Sequence, residues 1–144
     1  MAVVHVTATI RQIMLQALKD AIDSGGEPAS LDIYSGQMPA TPETAVTTQV
    51  LLGTLYLPYP CTASPGSLTS SALTVGDITP DESANASGLA TWARISSRTN
   101  VPVKTPVIDI DVSSVGGGGV LQMNTVNFVV GGPILVSSLI FMVQ

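Results

Sequence analysis

The segment that decides the fold runs from residue 31 to residue 55 and reads LDIYSGQMPATPETAVTTQVLLGTL. Its two ends are short apolar runs typical of β-strands, and two prolines lie between them. Pro39 and Pro42 each fix φ and remove a backbone donor, so the middle of the segment cannot lie inside a sheet. We expect Gly36 to Ala45 to form an extended, semi-rigid tether across a neighbouring molecule, with Met38, Pro39 and Pro42 as contacts.

An amphipathic helix is predicted before this segment. Apolar residues recur at intervals of three and four, and polar residues fill the other face, as in a helix that packs one side against a core. Thr9 is placed to cap the first turn, and Gly25 and Gly26 to end the last one. Leu15 lies off the apolar stripe and indicates a second contact surface. The predicted stripe consists of Ile10, Ile13, Met14, Ala17, Leu18, Ala21 and Ile22.

From residue 31 to the C-terminus the apolar pattern has a period of 2. Clusters of Pro, Gly, Asn and Asp separate the apolar runs at intervals typical of a β-sandwich or jelly roll. We therefore predict one domain over residues 1–144, with an N-terminal arm and amphipathic helix over 1–26 and an all-β sandwich or jelly roll over 31–144. The expected strands are Leu31–Tyr34, Val50–Leu57, Ser67–Val75, Gly88–Ser96, Val107–Val112, Val120–Met123, Asn127–Val130 and Ile134–Val143.

The last expected strand is apolar on both of its faces. A strand with one solvated face alternates apolar with polar residues, and ILVSSLIFMV does not. The strand is therefore expected to lie centrally between two layers, or to present an outer face to another subunit. Leu139 and Phe141 are the candidate partner contacts on it.

The chain carries few charges for a soluble protein. Charged residues make up 10% of it, against about 25% in typical domains, while apolar residues make up 45%. This composition predicts a surface that other protein molecules cover, and a homo-oligomer is expected. The net charge is −5 and the five basic residues are scattered, so phosphate backbones would be repelled and direct nucleic-acid binding is not expected.

The longest apolar run is not expected to cross a membrane. Phe128 to Val143 is interrupted by glycines, a proline and serines, and it is shorter than the roughly 20 apolar residues of a spanning helix. The start of the chain shows no pattern of a secretory signal. The sequence thus predicts a protein that is made and kept in a cytoplasm, without a membrane partner.

Ionisable residues that could converge on a catalytic or metal site are rare. His5 is the only histidine and lies among valines, so it is expected to fill space. Asp109 and Asp111 share one strand face and could hold a cation, but calcium prefers six or more oxygens. A solvated strand face is the expected role of these two carboxylates. The acidic loop with Asp77, Asp81 and Glu82 is interpreted in the same way.

Three other features have structural interpretations. Cys61 is the only cysteine and has no base or metal partner nearby, so it is expected to be an unreactive thiol. Gly116 to Gly119 lacks the Lys and Ser or Thr of a phosphate loop and is expected to be a flexible hairpin connection. Trp92, the only tryptophan, is expected to be a core anchor. No enzyme activity, cofactor or metal is predicted.

Five stretches carry a resemblance to a known group of proteins. In order they are the amphipathic helix, LDIYSGQMPATPETA, LLGTL, DESANASGLATWARI and LQMNTVNFVVGGPILVSSLIFMV. Together, from Ile10 to Val143, they resemble small structural proteins of tailed bacteriophages. Two segments depart from the pattern, YLPYPCTASPG and SSRTNVPVKTP, and both are expected on the surface.

The resemblance implies a β-rich, non-enzymatic virion protein, synthesised in a bacterial cytoplasm, that works by packing against other virion proteins. A decoration or cement protein on the capsid surface, bridging major capsid subunits, is the preferred hypothesis. A neck, collar or tail-attachment protein is the first alternative. A carbohydrate-binding module of a fibre tip is the second, although six aromatic residues form a sugar-stacking platform with difficulty.

Overall fold

The structure is a computed structural model that describes residues 4–62, 68–100 and 103–142. The described chain is mostly β-structure with one N-terminal helix, which confirms the predicted β-rich class. The elements are α1 (Ala8–Ile22), β1 (Ser30–Ser35), β2 (Val50–Tyr56), β3 (Ala72–Thr74), β4 (Gly88–Leu89), β5 (Trp92–Thr99), β6 (Val103–Ser114), β7 (Leu121–Met123), β8 (Asn127–Phe128) and β9 (Ser138–Met142).

The helix begins earlier than the sequence indicates. Thr7, and not the predicted Thr9, caps it, since the Thr7 hydroxyl oxygen accepts a hydrogen bond from the backbone N–H of Ile10 at 3.2 Å. At the other end the N–H of Asp23 donates to the Lys19 carbonyl at 3.0 Å. Gly26 follows with φ of +74°, a left-handed conformation that suits a chain leaving a helix.

The helix packs with a different face than the predicted stripe. Leu15 is only 1% exposed, whereas Ile10, Ile13 and Met14 are 43%, 57% and 49% exposed. The apolar residues of the predicted stripe cover about half of the helix circumference. Only one side of this apolar arc packs against the core, and Leu15 packs there with it.

Arg11 explains which face turns inward. Its guanidinium Nε donates to the carbonyl of Ser70 at 3.1 Å, and Nη1 donates to that of Val6 at 2.8 Å. Leu15, Leu18 and Ile22 follow Arg11 at helical spacing, so the anchored arginine brings their side of the helix onto the sheet. The prediction of a buried stripe with Leu15 apart from it is therefore wrong for Ile10, Ile13, Met14 and Leu15, whereas Ile22 of that stripe is buried.

Two alanine substitutions test this orientation. Leu15→Ala should lower the free energy of unfolding by about 2 kcal/mol, the low end for a buried leucine, because a cavity already borders this side chain. Ile13→Ala, its partner on the exposed face, should change the free energy by less than about 0.5 kcal/mol. Urea denaturation followed by far-UV circular dichroism measures both. Equal effects of the two substitutions would contradict this orientation, and a larger loss for Ile13→Ala would show that the helix is turned the other way.

Seven of the strands form one mixed sheet. Its order is β2-β1-β5-β6-β7-β9-β3, and β4 pairs with β8 in a separate two-stranded sheet. All the pairs are antiparallel except that of β6 with β7. In the centre, Ile33 on β1 lies opposite Ala93 on β5, which lies opposite Ile110 on β6. This face of the sheet is apolar and forms the core, whereas the opposite face carries polar side chains.

The sheet curls so that its two ends approach each other. Thr79, five residues after the end of β3, bridges Tyr56 on β2 at the opposite end of the strand order. Five residues span at most about 17 Å, so the two edges lie close. Asp81 continues the closure, because its backbone bridges Ile134 and its carboxylate accepts the N–H of Thr54 at 3.0 Å.

Glycine changes the connection between β6 and β7. Gly116 and Gly118 have φ of +84° and +87°, and the chain doubles back far enough that Leu121 pairs with Val112 in parallel. The predicted hairpin at this position is therefore wrong, since a hairpin joins antiparallel strands. The N–H of Val115 donates to the Met123 carbonyl at 3.1 Å and fixes the end of the turn.

Several strand boundaries differ from the predicted ones. The last strand covers only Ser138–Met142 among the described residues, and Ile134, at the start of the predicted strand, forms a single bridge with Asp81. The strand predicted from Ser67 is reduced to Ala72–Thr74. Parts of three predictions lie outside the described residues: Ser67, Val143 and the start of the N-terminal arm.

Strand β6 is longer than predicted, and the strand predicted over Gly88–Ser96 is divided into β4 and β5. Strands β5 and β6 form a hairpin with an irregularity. Ile95 pairs with Ile108 while Ser96 pairs with Pro106, so Val107 bulges out of the ladder. Pro106 lacks a backbone N–H and lies directly beside the bulge. The bulge and the proline therefore interrupt β6 close to the middle of the strand.

Candidate functional site: an apolar cleft beside β6

Trp92 is buried on the polar face of the sheet. Its side chain is 1% exposed, and its ring stacks on that of Tyr34 with centroids 4.5 Å apart. The Arg94 guanidinium lies 5.4 Å from the centre of the Trp92 ring. The predicted burial of Trp92 is confirmed, but its neighbours are polar, and it lies apart from the main apolar cluster.

An ion pair lies beside this aromatic stack. Arg94 donates from Nε and Nη2 to the two carboxylate oxygens of Asp109, at 2.7 and 2.9 Å. Both side chains are almost fully buried, and the hydrogen bonds to Asp109 raise the pKa of Arg94. The predicted solvated role is therefore wrong for Asp109, because the sequence does not show that Arg94 lies opposite it in the sheet. Asp111 is exposed, as predicted.

The proline-containing tether covers this polar face. Arg94 Nη1 donates to the Thr44 carbonyl at 3.0 Å, and the Thr91 hydroxyl donates to the Gly36 carbonyl at 2.6 Å. The tether therefore lies on the sheet of its own chain, which is a correction to the expectation of a segment free to cross a neighbour. Pro39 and Pro42 are half-buried, so part of each faces outward.

An apolar cleft opens between the helix, the tether and strand β6. Its volume is about 400 Å³, within the range of about 300–1,000 Å³ that is usual for binding pockets. Leu15 and Leu18 form the helix side, Met38 of the tether closes one end, and Phe141 and Met142 of β9 contribute the far wall.

The cleft lies along an edge of β6 instead of over one face. Four consecutive residues, Ile108 to Asp111, line it, and consecutive side chains in a strand point to opposite faces. Only a space beside the strand contacts all four. The side chain of Asp109 is buried although the residue as a whole is half-exposed, so the exposed part of Asp109 is its main chain.

An exposed apolar ridge leads from the helix into this cleft. Ile10, Met14 and Leu18 follow one another at intervals of four, so their side chains adjoin on the helix surface. Leu18 lines the cleft. Two methionines line the cleft, Met38 and Met142, and Met142 is 74% exposed. Flexible, polarizable methionine side chains adapt to partners of different shape.

The structure brings three of the predicted contact residues to the cleft and leaves three elsewhere. Leu15, Met38 and Phe141 line it, whereas Pro39 and Pro42 lie on the tether, and Leu139 is buried further along β9 and does not line the cleft. Because Leu15, Leu139 and Phe141 are buried by their own chain, their predicted role as freely exposed contacts is corrected.

Sequence reasoning missed the exposed residues of this surface. Ile10, Ile13 and Met14 were assigned to the core face, and Met142 to an apolar strand without a distinct role. The signal that was present is the width of the apolar arc on the helix, which exceeds what one packed face requires.

The remaining candidate residues have structural roles where they are described. Cys61 is buried, and burial together with the nearby Asp23 carboxylate raises the pKa of its thiol to about 12 from an ordinary value of 9.0. A thiol with so high a pKa stays protonated at neutral pH and is a poor nucleophile. The Asp81 carboxylate accepts backbone N–H groups from Thr54 and Ser83, which holds its acidic loop against the sheet.

The fold and the cleft define a β-rich protein with an exposed apolar surface. No family model, curated protein or solved structure matches this chain. In residues 4–62, 68–100 and 103–142, no group of three or more His, Cys, Asp or Glu side chains is placed to hold a metal ion. No helix in the same described ranges is long and apolar enough to cross a bilayer.

Proposed function

We propose that this chain is a structural protein of a bacteriophage virion, which works by packing against other virion proteins and has no catalytic role. More specifically, we propose a decoration or cement protein that bridges major capsid subunits on the capsid surface. The observation that carries this proposal is the apolar ridge of Ile10, Met14 and Leu18, with the exposed Ile13 next to it, beside the cleft that Met38 and Met142 line. Exposed apolar patches of this kind mark interaction surfaces.

The chemistry of the surface suits permanent assembly. A contact made of aliphatic and thioether side chains gains free energy from the apolar area that it removes from water. It also avoids the cost of removing unpaired charges from water. A clamp that binds only the assembled shell stabilises that shell by mass action. The same surface supports the proposal of a homo-oligomer.

The finer architecture belongs to this proposal. We propose that the curled seven-stranded sheet, with its edges joined through Thr79 and Asp81, is a form of the β-sandwich or jelly roll that the sequence pattern predicts. The carbohydrate-binding alternative needs an exposed aromatic platform. The Trp92 ring is buried beneath the tether and gives that alternative no support.

The test compares virions that carry different versions of the protein. Virions lacking it should release DNA at a lower temperature than complete ones, as measured with a DNA-binding dye during heating. Wild-type protein should restore the release temperature, and the double variant Ile13→Lys/Met14→Lys should not, although its own melting temperature stays unchanged. Val130→Lys is the matched control, because Val130 is equally exposed but lies away from the helix.

Three results would contradict the proposal. Equal release temperatures with and without the protein would remove the cement role, and copies restricted to one vertex of the particle would favour the neck or tail alternative. Absence of the protein from purified virions would overturn the virion assignment itself.

A further inference from the structure

We propose that the cleft binds an extended segment of a partner protein, which adds as a strand to the free edge of β6. The segment carries apolar side chains on one face, which fill the cleft, and a lysine or arginine on the other, which pairs with Asp111. This inference rests on the proposed function only in assuming a protein partner.

The free edge of β6 provides the backbone groups for this pairing. In the described part of the chain, β5 pairs with one edge of β6, and the other edge is paired only from Val112, where β7 begins. The residues before Val112 on that edge therefore present unpaired N–H and C=O groups along the cleft. Strand addition satisfies such groups with main-chain hydrogen bonds.

The two faces of β6 dictate the pattern of the added strand. Ile108 and Ile110 point to the apolar face, where Leu15 and Leu18 also line the cleft, so alternate side chains of the partner meet apolar walls. Asp109 and Asp111 point to the other face. The intervening side chains of an added strand therefore lie beside carboxylates.

The charge on that second face requires a cation from the partner. Arg94 neutralises Asp109, but Asp111 accepts only the N–H of Val120, at 2.9 Å, and no cation lies within ion-pair distance of it among the described residues. The chain as a whole carries a net charge of −5. A basic residue in the bound segment is therefore favoured over an acidic one.

The same charge argues against a second copy of this chain as the occupant. Pairing the β6 edges of two copies would place the Asp111 carboxylates of both along one short ladder, with like net charges on both molecules. The bulge at Val107 and the adjacent Pro106 would also interrupt the ladder in both copies. A basic, apolar segment of a different protein has neither difficulty.

Three capped synthetic octapeptides test the inference in solution. The first alternates Val and Lys, the second alternates Val and Glu, and the third repeats the first with N-methyl groups on alternate residues. Binding is measured by titrating each peptide into ¹⁵N-labelled full-length protein and following the backbone amides. The Val/Lys peptide should bind about tenfold more tightly than the Val/Glu peptide. It should shift the amides from Ile108 to Asp111.

N-methylation separates strand addition from simple apolar contact. It removes backbone donors and leaves the side chains, so affinity should fall by about tenfold or more. Asp111→Asn should weaken the Val/Lys peptide up to about fivefold and preserve the fold, because the amide oxygen still accepts from Val120. Asp77→Asn, in an exposed loop elsewhere, should change nothing.

The inference is overturned if the N-methylated peptide binds as well as its parent, if none of the peptides bind, or if the shifts appear only on the exposed helix face. These results are distinguishable from failure of the proposed function. If the peptides bind but the heat stability of virions does not depend on the protein, the strand-addition site is supported and the cement role is contradicted. If the protein stabilises virions but none of the peptides bind, the cement role is supported and the strand-addition site is contradicted.

Discussion

Replacement of Trp92 by alanine is expected to lower the free energy of unfolding by about 3–5 kcal/mol, the usual cost of emptying a large buried aromatic site. The ring is 1% exposed and supports the Tyr34 ring at 4.5 Å. Its removal also takes away the surface beneath the Arg94 guanidinium, 5.4 Å from the ring centre. Urea denaturation followed by far-UV circular dichroism measures the loss, since the variant lacks the fluorescent side chain.

Two matched variants separate the causes. Trp92→Phe should cost much less, because it keeps a stacked ring and removes an indole N–H that has no hydrogen-bond partner among the described residues. Tyr59→Ala removes an aromatic side chain that is largely exposed and should change stability by less than about 0.5 kcal/mol. A solvent-like fluorescence maximum for the wild-type protein, with no loss of stability in Trp92→Ala, would show that the tryptophan is exposed.

Asp109→Ala is expected to cost about 3–5 kcal/mol, because it leaves the Arg94 charge buried without its partner. The double variant Arg94→Met/Asp109→Leu should be more stable than Asp109→Ala, since it removes both charges and refills the space with apolar atoms. Thermal and urea unfolding of the double variant and of its single variants Arg94→Met and Asp109→Leu gives the coupling between the two residues.

The second ion pair of the sheet serves as the control. Lys104 is more than one-third exposed where it meets Asp32, so Lys104→Met should cost less than about 1 kcal/mol. Equal losses for Lys104→Met and Asp109→Ala would indicate that water reaches both pairs, and would contradict the burial of Arg94.

The sequence was informative wherever the structure depends on neighbouring residues. The helix, strands β1 and β2 and the burial of Trp92 follow from local apolar periodicity and from the prolines that separate the strands. The sequence did not indicate which strands pair with each other or in which register. The ion pair of Arg94 with Asp109 depends on the register of β5 with β6, and that register contains a bulge that leaves no local signature.

The candidate cleft was predictable only in part. Leu15, Met38 and Phe141 were chosen separately, and the fold brings them to one cavity. Which side of the helix is buried depended on one long-range contact, from Arg11 to the Ser70 carbonyl. No pattern within the helix itself indicates that contact, so the exposed ridge was assigned to the core.

The interruption of β6 limits edge-to-edge aggregation of this protein. An uninterrupted edge strand would let copies join side by side without limit and grow into fibrils. Val107 leaves the ladder, and Pro106 has no donor to offer. Only a short stretch of β6, between the bulge and Val112, can pair with another strand. This stretch is long enough to bind one added strand and too short to support fibril growth. Open-ended growth of copies along this edge is therefore disfavoured, even where the protein is at high local concentration.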